Sequence, residues 1–239
     1  MIDTYSNIVA KYVEPTDREG YVEALKLRYH VYCEEKNFID KQAVSADQQI
    51  EVDEYDEDRS WHFLVMNTNA NGEEHAIGTV RLVRYSDDKG FPTGKFYPPL
   101  YEKIISHGIP VDEMAEISRL CINPCFRRRR DDGLYGIGSY GTNDIRRKYP
   151  VVLLSLLREM YQFSKKIGIH FWLSSMEDTL YRYLKCISLE FEPLDENYID
   201  YYGKVKSFVL GIEQAEEQME QKQKDLYLYF TTPTPTPQG

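Results

Sequence analysis

Charge inside apolar runs is the feature that most limits what this chain can fold into. Ile77-Gly78-Thr79-Val80-Arg81-Leu82-Val83 reads as a buried strand, yet Arg81 stands within it. Arg28 lies on the mostly apolar face of a helical pattern built from Tyr21, Ala24, Leu25, Leu27, Val31 and Tyr32. Glu116, Ser118 and Arg119 fall within a third apolar run, Ala115 to Ile122, and Asp53 and Asp56 precede the first strand pattern. An unpaired buried charge is costly. The chain must therefore fold so that Arg28 and Arg81 meet Asp53, Asp56 or Glu116. Two readings of such a network stand: a rigid wall of a substrate cleft, or a structural ion-pair cluster alone.

The remaining pattern alternates helices and strands. A first helix is expected over about Arg18 to Glu35, and strands at Trp61 to Met66 and Ala76 to Val83 flank an Asn69-Ala70-Asn71-Gly72 turn. A short helix near Leu100 to Ser106 leads to the strand Ala115 to Ile122. Val151 to Lys166 is amphipathic and ends at Gly168. Ile169 to Leu173 reads as a strand, Thr179 to Ser188 as a helix, and Leu189 to Leu194 and Val205 to Leu210 as strands. Glu213 to Lys224 reads as a solvated helix. This order predicts an α/β fold, one mixed central sheet with helices on both faces. Residues 1–228 are expected to form one domain, and 229–239 a disordered Pro/Thr-rich tail.

Composition removes several alternatives. The 239 residues are 42% hydrophobic, enough for one sizeable core. No run approaches the ~20 apolar residues of a membrane helix, and the N-terminus lacks the pattern of a signal peptide, so a cytoplasmic protein with no stable membrane span is expected. A formal net charge of −10 argues against nucleic acid as partner. The acidic average hides two basic islands, Arg127-Arg128-Arg129-Arg130 and Arg146-Arg147-Lys148. Cys121 and Cys125 lack the second ligand pair that a zinc ribbon needs, so no metal is expected. Residues 123–150 hold Gly133, Gly136, Gly138 and Gly141, but these lie well before the Val151 helix and form no clean pyrophosphate loop at its start.

Five short elements occur in order: Leu27 to Glu35, Asp53-Glu54-Tyr55-Asp56, His62-Phe63-Leu64, Gly78 to Leu82 and Glu116 to Leu120. Together with Phe126 to Arg130, they resemble the N-acyl amino acid synthases associated with PEP-CTERM/exosortase systems and, more distantly, the N-acyl-homoserine-lactone autoinducer synthases. Both groups are acyltransferases of the GNAT superfamily. The similarity extends from Leu25 to Gly211. Leu194-Asp195-Glu196 departs from that family's Ile-Gly-Pro.

The resemblance implies a GNAT-like acyltransferase fold that moves a long acyl group from an acyl-phosphopantetheine thioester to the amine of an amino acid. It implies no tightly bound cofactor. The donor would be an acyl carrier protein, or CoA, with Arg127, Arg128, Arg129 and Arg130 steering the acidic carrier; two other readings of that run stay open, a nucleotide-phosphate site and a solvated loop. Glu116 is the first candidate base; Asp53 and Asp56 are alternatives that could instead hold the acceptor ammonium. Arg81 and Arg28 would grip these acids or the acceptor carboxylate. Backbone N–H groups from Ser118 to Leu120 would receive the thioester oxygen. Arg119 is either structural or in contact with the pantetheine. Tyr183, or Tyr181, would protonate the departing thiolate, although 20 tyrosines make any single choice weak. His30 and His62 read as ordinary helix and strand residues.

Overall fold

A computed structural model describes residues 7–41, 48–126 and 151–233. Strand β1 (Ile8–Tyr12) leads into helix α1 (Arg18–Arg28), whose first turn is capped by the Asp17 carboxylate accepting from Gly20 N–H at 2.8 Å. At Tyr29 the winding widens into a π-helix over Tyr29–Glu35, closed by a bond from Lys36 N–H to the Val31 carbonyl. The expected first helix is thus continuous but changes pitch directly after Arg28.

Strands β2 (Ser60–Thr68) and β3 (Glu74–Arg84) form the expected hairpin. A 3-10 turn (Pro92–Lys95), helix α2 (Leu100–Ser106) and strand β4 (Met114–Ile122) follow. Then come α3 (Val151–Ile167), β5 (Phe171–Met176) and α4 (Asp178–Cys186). Two short strands, β6 (Glu192–Pro193) and β7 (Ile199–Asp200), precede β8 (Lys204–Gly211). Helices α5 (Ile212–Lys222) and α6 (Lys224–Thr231) close the described chain.

The strands run β1-β2-β3-β4-β5-β8-β6, with β7 also on β8. Only β4 and β5 pair in parallel; the other neighbours are antiparallel. The parallel ladder is short, from Met114 opposite Phe171 to Ile117 opposite Ser174. Beyond it β4 continues to Ile122 and β5 to Met176 with no pairing between them, so the sheet splits there.

Each face of the sheet is covered. Phe63, Val80, Leu82 and Ile117 pack against Leu153, Leu157 and Met160 of α3. The opposite face carries two separate apolar clusters. Leu64, Ala76 and Cys121 pack under α1, and Met114, Leu173 and Val209 pack under Leu100 and Ile104 of α2. The buried polar side chains Arg28, Arg81, Glu116 and Ser118 occupy the band between those clusters.

Three sequence expectations change. Leu189 to Leu194 is a strand only at Glu192–Pro193. Ser188 takes a left-handed φ of 62°, and Pro193 offers no N–H to a ladder. The Glu/Gln-rich helix buries Ile212, Ala215 and Met219, so it covers core rather than standing in solvent. The tail expected from residue 229 instead begins inside α6, where Leu226 and Phe230 are buried. Residues 234–239 lie outside the described residues.

Gly78 sits where α3 presses closest on the sheet. A Cβ there would lie 2.4 Å from Val152 Cγ1 and 3.3 Å from Leu156 Cδ1. Val152 is β-branched and stiff in a helix, so it yields poorly. Gly78→Ala is expected to destabilise the fold by roughly 1–3 kcal/mol through overpacking. Urea unfolding should show a lower midpoint at an unchanged slope; an unchanged midpoint would contradict this packing.

Candidate active site

Three arginines meet three acids in the polar band. Arg28 holds Asp56 in a two-pronged grip, with Nη1 and Nη2 donating at 2.7 and 2.9 Å, and also donates to Glu51. Arg81 grips Asp53 the same way at 2.6 and 2.9 Å, reaches Asp56 at 2.7 Å, and donates from Nε to Ser118 Oγ at 3.0 Å. Arg119 donates to Glu51 at 3.0 Å, to Asp53 at 2.9 Å and to the Tyr202 hydroxyl at 3.2 Å. Bidentate arginine–carboxylate contacts of this kind are the strong ones. Burial raises the carboxyls of Glu51, Asp53 and Asp56, but the arginines outweigh it and hold all three below their ordinary values. All six groups are therefore charged, and the charges cancel three against three.

His62 adds nothing to that balance. Burial, and then Arg28, hold its imidazole down to about 3, so it is neutral beside Asp56 at 3.6 Å.

Glu116 is the odd acid. It is 0% exposed and, among the described residues, makes no salt bridge with an arginine. Its oxygens accept from Thr93, from the backbone N–H at 3.0 Å and from Oγ1 at 2.9 Å. Burial pushes its carboxyl up to about 7, against the lowering effect of the Thr93 bonds and of Arg81 and Arg119. A carboxyl that titrates near neutrality is suited to take and return protons.

Beside this band the parted strands open a cleft of about 60 Å³, room for a few waters. Its lining combines apolar Ile117, Leu120, Leu180 and Val205 with polar Ser118, Arg119, Ser174, Ser175 and Glu177. Tyr32, Phe38, Tyr201 and Tyr202 complete the lining. On the β4 wall the ladder slips: Arg81 faces Ser118, but Thr79 faces Cys121, so Arg119 and Leu120 together oppose Val80. Arg119 takes a left-handed φ of 52° in this bulge. Such a conformation costs about 1–3 kcal/mol. The Glu51 and Asp53 contacts hold the Arg119 side chain, and its guanidinium lies 4.8 Å from the Tyr202 ring and 5.5 Å from Tyr32. A bulge leaves its extra backbone unpaired and able to turn toward the cleft.

The structure thus brings Arg28, Arg81, Asp53, Asp56, Ser118 and Arg119 together, with Leu120 on the cleft wall. Glu116 is close by but outside the ion pairs in which it was a candidate partner. Tyr183 is a correction: it is 3% exposed in the α3-side core, and the residue of α4 on the cleft wall is Leu180. Tyr181 stacks on Phe208. Arg127, Arg128, Arg129 and Arg130 lie outside the described residues, as do the glycines from Gly133 to Gly141 and the second basic island. Sequence reasoning missed Glu51, Thr93 and Ser175. Glu51 had a signal, since an acid two residues before Asp53 falls on the same side of an extended chain. Thr93 and Ser175 had none. Among the described residues, no group of His, Cys, Asp and Glu is arranged to hold a metal ion, and no helix is long and apolar enough to cross a membrane.

Comparison with known proteins agrees with this architecture. An acetyltransferase (GNAT) domain family matches residues 27–135. No curated protein matches the chain. Solved structures share the fold at low identity. The CoA-dependent acyl-homoserine lactone synthase BjaI, solved with MTA, has a TM-score of 0.60 at 17% identity, over 90% of this chain and 88% of that one. The AHL synthase LasI has 0.57 at 15%, over 86% and 90%. FeeM, an N-acyl amino acid synthase from uncultured soil microbes, has 0.55 at 14%, over 90% and 96%. The chain has a GNAT-like α/β fold.

Glu116 has a signature in stability. Its folded pKa of about 7 lies above its ordinary 4.5, so the folded state holds the extra proton between those values. The resulting stabilisation is present below about pH 4.5 and is lost as pH rises through 7, by on the order of 3 kcal/mol. Glu51, Asp53 and Asp56 act with the opposite sign, losing stability as pH falls, but equally in both proteins compared. The stability difference between wild type and Glu116→Gln, followed by urea unfolding across this range, should therefore slope against wild type as pH rises. A flat difference would mean that Glu116 titrates normally.

Proposed function

We propose that this chain is an N-acyltransferase that moves a long acyl group from a phosphopantetheine thioester, on an acyl carrier protein or CoA, to the amine of an amino acid. The observation that carries the reading is Glu116, a buried carboxyl that titrates near 7 beside a cleft opened by parted strands. The GNAT domain match and the fold shared with an N-acyl amino acid synthase and with acyl-homoserine lactone synthases support an acyl transfer. The sequence resemblance to PEP-CTERM-associated synthases favours an amino acid as acceptor.

The cleft's mixed lining suits both halves of the reaction. Ile117, Leu120, Leu180 and Val205 offer an apolar path for the acyl chain. The bulge at Arg119 and Leu120 supplies backbone N–H groups for the thioester oxygen as it gains charge. The acceptor sheds its ammonium proton to solvent, attacks the carbonyl as the neutral amine and then loses a second proton to Glu116; the thiolate leaves and takes that proton up in turn. Arg28, Arg81, Asp53 and Asp56 hold the wall, and the partly exposed edge of Asp53 faces the acceptor ammonium. The Arg127–Arg130 run, which follows Phe126 in the sequence, is the docking element for an acidic carrier.

Two measurements test this. Incubation with a palmitoyl carrier-protein thioester and an amino acid pool should give an N-acyl amino acid by mass spectrometry, lost by about 10²–10⁴-fold in Glu116→Gln. A lactone formed from S-adenosylmethionine would replace this reading with an autoinducer synthase, and tight acyl binding without thiol release with a non-catalytic binding module. Replacing Arg127–Arg130 by Ser should raise KM for the carrier-bound donor and leave the CoA donor unaffected. Equal KM for the carrier would remove the docking role.

A further inference from the structure

Glu116 does not line the cleft, although the proposed reaction needs its proton there. A row of hydroxyls spans the gap. Glu116 Oε1 accepts from Thr93 Oγ1 at 2.9 Å, Thr93 Oγ1 lies 2.8 Å from Ser175 Oγ, and Ser175 is on the cleft wall. The row continues to Ser207 Oγ at 2.9 Å, which does not line the cleft. Three elements far apart in sequence supply these groups: the 3-10 turn before α2, strand β5 and strand β8. The backbone N–H of Thr93 also holds the second carboxyl oxygen, so Glu116 is fixed with Oε1 aimed along the row.

We infer that Thr93 and Ser175 relay protons between Glu116 and the acyl-transfer cleft, with Ser175 as the group that meets the reacting amine and Thr93 as the link to the carboxylate. This rests on the acyltransfer reading above. A hydroxyl donates one hydrogen and accepts two, so Ser175 can give its hydrogen to Thr93 and still accept from the amine. When the amine nitrogen bonds to the thioester carbon it becomes cationic. It passes a proton to Ser175 Oγ as Ser175 passes its own to Thr93 Oγ1 and Thr93 passes its own to Glu116 Oε1. The C–S bond then breaks with its electron pair on sulfur. The same row run backwards returns the proton to that thiolate, leaving an amide, a thiol and an ionised Glu116.

Charged and titratable groups face Glu116 from every side. Arg81 of β3 and Arg119 of β4 favour its ionised form. Tyr55, Tyr101 of α2 and Tyr201 each have their phenol pKa raised by burial first and by Glu116 as a further cause. None of these phenols joins the hydroxyl row.

Infrared spectroscopy of the full-length chain tests the relay without a substrate. The carboxyl band of protonated Glu116 is identified by its absence in Glu116→Gln. Transfer into D₂O below the Glu116 midpoint then reports how fast the buried proton exchanges. Thr93→Val and Ser175→Ala are expected to slow that exchange by at least about tenfold, and Thr93→Ser to restore it. Ser207→Ala, which removes a buried hydroxyl that lies beyond Ser175 and off the path, should leave it unchanged. In the palmitoyl carrier-protein assay, Thr93→Val should lower kcat by about 10²-fold with KM little changed. Exchange as fast as wild type in both Thr93→Val and Ser175→Ala overturns the relay and leaves Glu116 free to act by another route. Full transfer activity in Glu116→Gln also overturns the relay, by removing Glu116 as the base, whereas absence of any transfer by the wild-type chain overturns the acyltransfer reading itself, whatever the exchange rates.

Discussion

The structure depends on one balance, three buried arginines against three buried or half-buried acids. Arg28 brings in α1, Glu51, Asp53 and Asp56 bring in the segment before β2, Arg81 brings in β3, and Arg119 brings in the β4 bulge and Tyr202. A matched network of this kind adds little net stability over an apolar core. Removing one partner strands a charge, at about 3–5 kcal/mol. What the network contributes is fixed geometry. It separates two apolar clusters on one face of the sheet and holds Arg119 in a strained backbone conformation at the wall of the cleft.

The same balance explains Glu116. Its neighbouring cations already have their own acids, so burial dominates its titration and the Thr93 bonds only moderate it. Had Glu116 been one of the three acids gripped by arginine, it would be held below the ordinary carboxylate range like the others, too weak a base to take a proton near neutrality. A carboxyl that titrates near 7 in this fold follows from charge matching elsewhere.

Much of the fold was legible from pattern. The β2–β3 hairpin, α2, β4 and α3 lie within a few residues of their expected spans because hydrophobic period and turn residues are local signals. β1 was not expected; its five residues pair only with β2, and nothing nearby marks them. Residues Leu189 to Leu194 misread for a different reason. Leu189, Phe191 and Leu194 are buried because the segment crosses from one cluster to another, with Phe191 in one and Leu194 in the other, rather than because it extends along a ladder.

By itself the sequence determined that Arg28 and Arg81 would lie in buried elements and would have to find acids, because no apolar strand or helix face tolerates a lone guanidinium. It also determined the α/β order that puts them near one sheet. Only the tertiary structure decided which acids they found. Partner choice is a matter of a few ångströms across strands, and those distances depend on where the Glu51–Asp56 segment returns and on the one-residue slip in β4. Glu51 took a place offered to Glu116. Thr93 and Ser175, 82 residues apart, came within 2.8 Å. Hydrogen bonds and charge pairs fall off over such short distances that neither composition nor spacing along a chain encodes them until the chain is folded.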